Sequence, residues 1–233
     1  MNVLRRPKAN YNSRIISSFP LIYFPLDEVN GSVAKNWGTV ALADGTYTGV
    51  SLRSVAGPKG ALFPYFDAAN DYVDIYSAPF AAAVNADLGT LMLWFKAYNS
   101  GVWTDSTIRY CIYFFGDDNN KWAIYKSSTN NLFMIARKAA GTWETATYTM
   151  TGYYTSWYCA ALTWDASIQE TKGYMNGVQV GSTITAKNFV GSLSAGLIGA
   201  ASKIPVNVWN GYIAHLAMWD RVLTAEELLA LSQ

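Results

Sequence analysis

Three short stretches bring together the side chains that recognise sugars. Such recognition needs an aromatic ring for the apolar face of the sugar, and amide or carboxylate groups for its hydroxyls. SGVWTDS (100–106) sets Trp103 next to Asp105. GDDNNKW (116–122) sets Asp117, Asp118, Asn119 and Asn120 beside Trp122. TGYYTSW (152–158) holds Tyr153 and Tyr154 in a turn-like setting. The candidate ligand contacts are Trp103, Asp105, Asp117, Asp118, Asn119, Asn120, Tyr153 and Tyr154, with Trp103 foremost. The competing reading is structural: Trp122 and Trp157 in the core, and the Asn-Asp cluster as turn chemistry.

Groups for acid–base or covalent chemistry are scarce. Asp71 and Asp74 stand three apart, so a strand would point them to opposite faces. Asp27 and Glu28 are adjacent, with the same result. Glu226 and Glu227 belong to a helix start. His215 is the only histidine, and no nucleophile elbow or Gly-rich nucleophile turn is visible. Its strand position reads as a surface one. Cys111 and Cys159 cannot make a metal site by themselves. They read as two buried free thiols, with a disulfide as the alternative if their strands are neighbours. No catalytic residue and no metal ligand is assigned.

The elements that must carry these residues are strands. Period-two runs separated by turn residues occupy LIYFPL (21–26), DYVDIY (71–76), TLMLWFKA (90–97), TIRYCIYFF (107–115), KWAIYK (121–126), NLFMIAR (131–137), WETATYTM (143–150), WYCAALTW (157–164), KGYM (172–175), VQVGST (178–183) and GYIAHLAMW (211–219). Such regular short strands predict an all-β sandwich or barrel. Asn176-Gly177 between two alternating runs predicts a tight type I′ hairpin, because both residues tolerate positive φ. TNNLF (129–133) and KAAGTW (138–143) predict looser hairpin links. TLMLWFKA is apolar on both faces, which calls for a second sheet on one side and further cover on the other. In the last strand Tyr212, Ala214, Leu216 and Met218 fall on one face, and Ile213, His215, Ala217 and Trp219 on the other. Thr224 then stands three residues before Glu227, the spacing of a capping box. Leu228, Leu229 and Leu231 give the short helix an apolar stripe that must lie on the sandwich.

The charged share is 14%, well below the roughly 25% of average proteins, so a large core is within reach. A net charge of +1 disfavours nucleic acid as a partner. The charge is uneven, since Arg5, Arg6, Lys8 and Arg14 lie in a stretch without acids. Residues 1–20 read as a basic arm, either solvated or docked on an acidic protein surface or on nucleic acid, and 21–233 as the folded domain. No apolar run reaches the ~18 residues of a membrane span. Arg5-Arg6 has no cleavage site after it, so no export signal is expected.

Four stretches together resemble laminin G-like domains of the concanavalin A-like superfamily: YFPLDEVNGSVAKNWG (23–38), DYVDI (71–75) with TLMLWFKA (90–97), WYCAALTWDASIQETKGYMNGVQVGS (157–182) and GYIAHLAMWDRVLTAEEL (211–228). The resemblance covers 21–233. It implies a concanavalin A-like jelly-roll β-sandwich of two antiparallel sheets, about six or seven strands each, with a short C-terminal helix. It also implies a binding or adhesion role rather than catalysis. The superfamily's glucanases resemble a Glu-x-Asp-x-x-Glu strand pattern that this sequence lacks. Its members often place an Asp in the closing strand to help hold a calcium ion. Ala214 and His215 stand at the matching positions, so no cofactor is expected, although Asp27 and the 28–36 loop keep some oxygen ligands.

The combined expectation is a non-catalytic, lectin-like module for a glycan or cell-surface ligand, with homo-oligomers open. The basic arm and the lack of an export signal place it on a bacteriophage or virus particle, as a capsid decoration or fibre-associated protein docked through Arg5, Arg6, Lys8 and Arg14. The alternatives are a free, cytoplasmic lectin released on lysis, or a glycoside hydrolase.

Overall fold

In a computed structural model, which describes residues 10–152, 155–204 and 206–233, the β-rich sequence resolves into two antiparallel sheets of eight strands each. The strands are β1 (Ile22–Phe24), β2 (Val33–Ala34), β3 (Gly45–Thr48), β4 (Ser51–Ala56), β5 (Leu62–Asp67), β6 (Tyr72–Asp74), β7 (Leu88–Ala97), β8 (Arg109–Asp117), β9 (Asn120–Lys126), β10 (Leu132–Ala139), β11 (Thr142–Thr149), β12 (Tyr158–Asp165), β13 (Glu170–Met175), β14 (Val178–Ile184), β15 (Ala195–Ile198) and β16 (Asn210–Trp219). The helices are α1 (Tyr11–Ile16), α2 (Ala78–Ala83), α3 (Gly101–Thr104) and α4 (Ala225–Leu231). The first sheet runs β14-β13-β12-β7-β16-β5-β4, with β1 also on β16, and the second runs β11-β10-β9-β8-β15-β6-β3-β2. The resemblance's six or seven strands per sheet are thus exceeded, because short strands near the N-terminus extend one edge of each sheet.

The predicted turns form for the predicted reasons. Asn176 (φ 51°) and Gly177 (φ 78°) are both left-handed and close β13 onto β14. Ala140 and Gly141 do the same between β10 and β11. At α4 the Thr224 hydroxyl accepts from the Glu227 backbone N–H, and the Glu227 carboxylate accepts from the Thr224 N–H at 2.8 Å. Leu228 and Leu231 are buried, whereas Leu229 faces outward.

The main core fills the space between the sheets. Leu91, Leu93 and Phe95 of β7 meet Phe133 and Ile135 of β10 there, with Phe95 and Phe133 stacked at 4.2 Å between ring centroids. A second cluster covers the outer side of the first sheet, where α1 and α4 pack on Met92, Trp94, Ala214, Ala217 and Trp219. The double-sided burial read in TLMLWFKA is therefore real, and helices supply the outer cover. Residues 11–16, expected in a detached arm, belong to this cover. The Tyr11 hydroxyl donates to the Leu231 carbonyl at 2.6 Å and accepts from the Trp94 indole N–H at 2.8 Å. Arg14 is not a free docking residue, because its guanidinium donates to the Ala230 carbonyl at the end of α4. Such a contact favours a cation at a helix C-terminus. Arg5, Arg6 and Lys8 lie outside the described residues.

Strict alternation fails in β16. Ala214 pairs with Trp94 but Ala217 pairs with Met92, so two residues, His215 and Leu216, oppose one. This bulge sends Ile213, Leu216 and Met218 into the main core and Ala214, Ala217 and Trp219 into the outer cluster. His215, expected at the surface, is 1% exposed at φ 50°, with Tyr11, Tyr23 and Phe63 around its ring. Its Nδ1 lies 2.8 Å from the Tyr23 hydroxyl. The two cysteines are unpaired and buried, Cys111 in the main core and Cys159 in the outer cluster.

One ion pair is wholly inside. Arg137 and Glu144 are directly opposite across β10 and β11, both 0% exposed, with a 2.9 Å contact. Glu144 also accepts from the Thr171 hydroxyl of β13 at 2.6 Å and from the Lys187 N–H at 2.6 Å. Arg137→Met alone should lower the unfolding free energy by about 3–5 kcal/mol, because Glu144 is left charged and unpaired, while Arg137→Met/Glu144→Leu should recover most of the loss. Denaturant unfolding of the three proteins checks this. A double variant no better than the single one would mean that the ion pair is irreplaceable.

Burial, helped by the nearby Lys59 ammonium, pushes the His215 imidazole, whose Nε2 has no hydrogen-bond partner, from its ordinary 6.5 down to about 3. The unfolded chain therefore takes up a proton below pH 6.5 that the folded chain refuses until about pH 3. Stability should fall as pH drops through that window, by about 2 kcal/mol between pH 6.5 and 4.5. Urea midpoints at the two pH values should show this fall, and His215→Gln should lack it. An equal fall in both proteins would exclude His215 as the source.

Candidate binding face

The outer side of the second sheet has no helix on it among the described residues. Its strands place three rows of side chains there. Ala195, Phe115, Lys121, Lys138 and Trp143 are register partners across β15, β8, β9, β10 and β11. Leu197, Tyr113, Ala123, Ala136 and Thr145 form the next row, extended by Asp74 of β6. Tyr110, Tyr125, Met134 and Thr147 form the third. Five strands at ~4.8 Å spacing make a surface about 19 Å across.

A bulge assembles the rings. In β8 the register shifts between Tyr110 and Ile112, and Cys111 and Ile112 both enter the main core. Tyr110 is thereby turned to the same face as Tyr113 and Phe115. Tyr110 stacks on Tyr125 at 4.9 Å between ring centroids and meets the edge of Tyr113 at 5.1 Å, and Tyr113 stacks on Phe115 at 6.0 Å. These rings are half-buried, so each keeps part of its surface toward solvent. Alanines at 123, 136 and 195 keep the floor beside them low. A cleft of about 330 Å³ opens here, lined by Tyr113, Phe115, Ala195, Leu197, Ala201, Ser202 and Lys203.

Polar groups border the rings. The Lys121 ammonium lies 5.1 Å from the Phe115 centroid, and Lys138 lies 5.9 Å from that of Trp143, itself 44% exposed. Lys203 pairs with Asp74 at 2.5 Å. Asp118 and Asn119 project at the β8–β9 hairpin beside this corner, where the Asp118 carbonyl accepts from Lys138 at 2.6 Å and the Asn119 carbonyl accepts from the Gly141 N–H. The face thus offers ring faces, ammonium donors, an amide and carboxylates.

Only part of the sequence-derived site gathers here. Trp103 sits on α3, 0% exposed, edge-on to Phe133 and Trp209, so it cannot stack a ligand from outside. The loop reading failed because its apolar side chain finds the core end before solvent. Asp105 is tied to Lys126 and Arg109, both at 2.8 Å. Burial would raise its carboxyl, but the hydrogen bonds from Lys126 and Arg109 outweigh this and hold it below the usual carboxylate range. Asp117 accepts from the Asn119 N–H and the Asn120 amide, which is turn chemistry. Asn120 is buried and its amide oxygen accepts from the Ala140 and Val190 N–H groups. Tyr153 and Tyr154 lie outside the described residues. Trp122 packs in the core as expected, and Trp157 is half-buried.

Three carboxylates elsewhere hold structure. Asp71 is buried and accepts from the Asp67 N–H, Glu28 accepts from the Lys35 N–H and the Tyr47 hydroxyl, and Asp27 accepts from the Asn12 amide. The three rows of the open face carry one carboxylate, the ion-paired Asp74. Among the described residues no three His, Cys, Asp or Glu side chains are grouped to hold a metal.

A laminin G family model described as concanavalin A-like lectin/glucanases superfamily matches residues 33–229. The chain belongs to this superfamily. No curated protein sequence matches it. Its concanavalin A-like fold recurs in solved structures of low identity. The receptor-binding domain of botulinum neurotoxin C/D mosaic serotype aligns with a TM-score of 0.70 at 10% identity, over 92% of this chain and 51% of that one. The botulinum neurotoxin serotype D binding domain gives 0.67 at 12%, over 91% and 51%. The chain therefore spans about half the length of those neurotoxin chains. Domain 4 of AbnA, a GH43 extracellular arabinanase from Geobacillus stearothermophilus, in complex with arabinotriose, gives 0.66 at 16%, over 92% and 98%. The fold is thus that of receptor-binding and lectin-like domains.

Proposed function

We propose that this chain is a non-catalytic glycan-binding module whose ligand lies across the open face of the second sheet. One observation carries the reading: four aromatic rings in mutual contact, Tyr110, Tyr113, Phe115 and Tyr125, line a face that carries no helix among the described residues, beside a cleft and a lysine-rich rim. Rings fixed on a sheet lose little freedom on binding, and sugar C–H faces stack on them while rim groups take the hydroxyls. The arabinotriose bound to the arabinanase domain, which this chain covers almost whole, supports the same ligand class. No metal or cofactor enters this reading.

Selective binding on a glycan array is the expected result, with Tyr113→Ala weakening it at least tenfold, the equivalent of about 1.4 kcal/mol. Array binding that survives Tyr113→Ala and Phe115→Ala unchanged would remove the ligand from this face. Hydrolysis of a bound polysaccharide by the pure protein would end the non-catalytic reading.

Placement on a phage or virus particle is part of the proposal and is supported by the basic residues Arg5, Arg6 and Lys8. Purified particles should contain the protein in fixed copy number, and removing residues 1–9 should release it while leaving α1 in place. Particles from an infected culture that lack the protein would refute this placement.

A further inference from the structure

A second group of rings stands on the outer side of the first sheet, beyond the part that α1 and α4 cover. Tyr65, Tyr212 and Lys96 are register partners across β5, β16 and β7. The Tyr65 and Tyr212 rings are 5.3 Å apart, Tyr98 is 5.2 Å from Tyr65, and Trp157 is 6.4 Å from Tyr212. Tyr98 is 51% exposed and the other three are half-buried. The group spans β5, β16, β7 and the start of β12, about 14 Å at ~4.8 Å per strand.

We infer that this is a second, weaker glycan platform, and that one chain bridges two glycan strands held on opposite faces of the sandwich. The inference rests on the glycan-binding reading above. The composition of the patch suits this occupant. The Lys96 ammonium lies 5.7 Å from the Tyr212 centroid and has no carboxylate partner among the described residues. The Tyr65 hydroxyl reaches the Asn210 amide oxygen only at 3.4 Å. Any occupant must pair this ammonium and these hydroxyls, because burying them unpaired is costly. A sugar satisfies both parts, with C–H faces on the rings and hydroxyls on the ammonium, phenols and amide. Because the two platforms face away from each other, a single short glycan cannot reach both. The second platform therefore adds no affinity for a free oligosaccharide, and its effect is to join chains.

A bead assay tests the bridge. Arabinan, xylan, mannan, a β-glucan and a polyuronide are each fixed to beads, the monomeric protein is added, and the same polysaccharide is then supplied in fluorescent soluble form. Wild-type protein should bind the beads and hold the soluble polymer. Tyr98→Ala and Lys96→Ala should bind the beads as wild type and lose at least nine-tenths of the soluble signal. Tyr113→Ala should lose bead binding. Bead binding without soluble capture, or full capture by Tyr98→Ala, would overturn the second platform and leave the first intact. Sedimentation that shows a dimer in wild type and a monomer in Tyr98→Ala would assign the patch to copy–copy contact and also overturn it. Wild type that binds none of the five polysaccharides would bring down the glycan-binding reading itself.

Discussion

The Arg137–Glu144 pair constrains the rest of the sandwich. Charges in a dry interior are costly, and pairing compensates only when the remaining polar atoms are also engaged. Here most of them are engaged by separate parts of the chain, Ala86 through its carbonyl, Thr171 through its hydroxyl and Lys187 through its N–H, while the Arg137 Nε–H is left buried without an acceptor. The pair thus ties two neighbouring strands of one sheet to a strand of the other and to two connecting segments. It also fixes strand parity. A one-residue slip of β10 against β11 would take Arg137 out of register with Glu144 and turn neighbouring side chains between core and solvent. Lys138 and Trp143 reach the open face because Arg137 and Glu144 are held inside.

Two bulges adjust that parity where function and cover need it. In β8 the extra residue brings Tyr110 round to Tyr113 and Phe115 and so builds the aromatic surface. In β16 the extra residue puts His215 beneath α1 and sets the outer apolar stripe of Ala214, Ala217 and Trp219 against the helices. Bulges re-aim side chains at the cost of a local break in pairing. The His215 N–H avoids that cost by donating to the Pro25 carbonyl, just past β1, at 3.1 Å. The outer face of the first sheet is thereby partly sealed by helices, while that of the second carries no helix among the described residues.

The architecture was legible because it follows from local chemistry. The Asn176-Gly177 turn, the Thr224–Glu227 capping box and the doubly apolar β7 each need few residues to announce themselves. β2, β3, β4, β5 and β15 escaped the sequence reading because β2 has only two residues and glycine, proline and polar residues interrupt the others. The site was less legible, for two physical reasons. A bulge leaves no mark in the sequence, so RYCIYFF reads as one strand with apolar residues on both sides and hides which rings share a face. Aromatic residues also serve core and surface alike. Trp103 and Trp143 both stand beside polar residues, yet the first is enclosed among Phe95, Phe133 and Trp209 and the second is open to solvent. Only packing separates them.

Placing recognition on sheet faces rather than loops has an energetic consequence. Loops adapt, but they lose conformational freedom when a ligand orders them. Rings held by register partners and by one another have already lost it, so even a shallow surface can bind a flexible polymer. Shallow surfaces nevertheless make few contacts, and affinity per platform is modest. A repetitive polymer relieves this limit, because many modules on one strand, or two strands on one module, convert weak contacts into strong attachment through effective concentration. A rigid sandwich with rings on both broad faces suits such a polymer better than it suits a small free sugar. On the proposed reading, the flat character of both surfaces suits the ligand class as much as it follows from the fold.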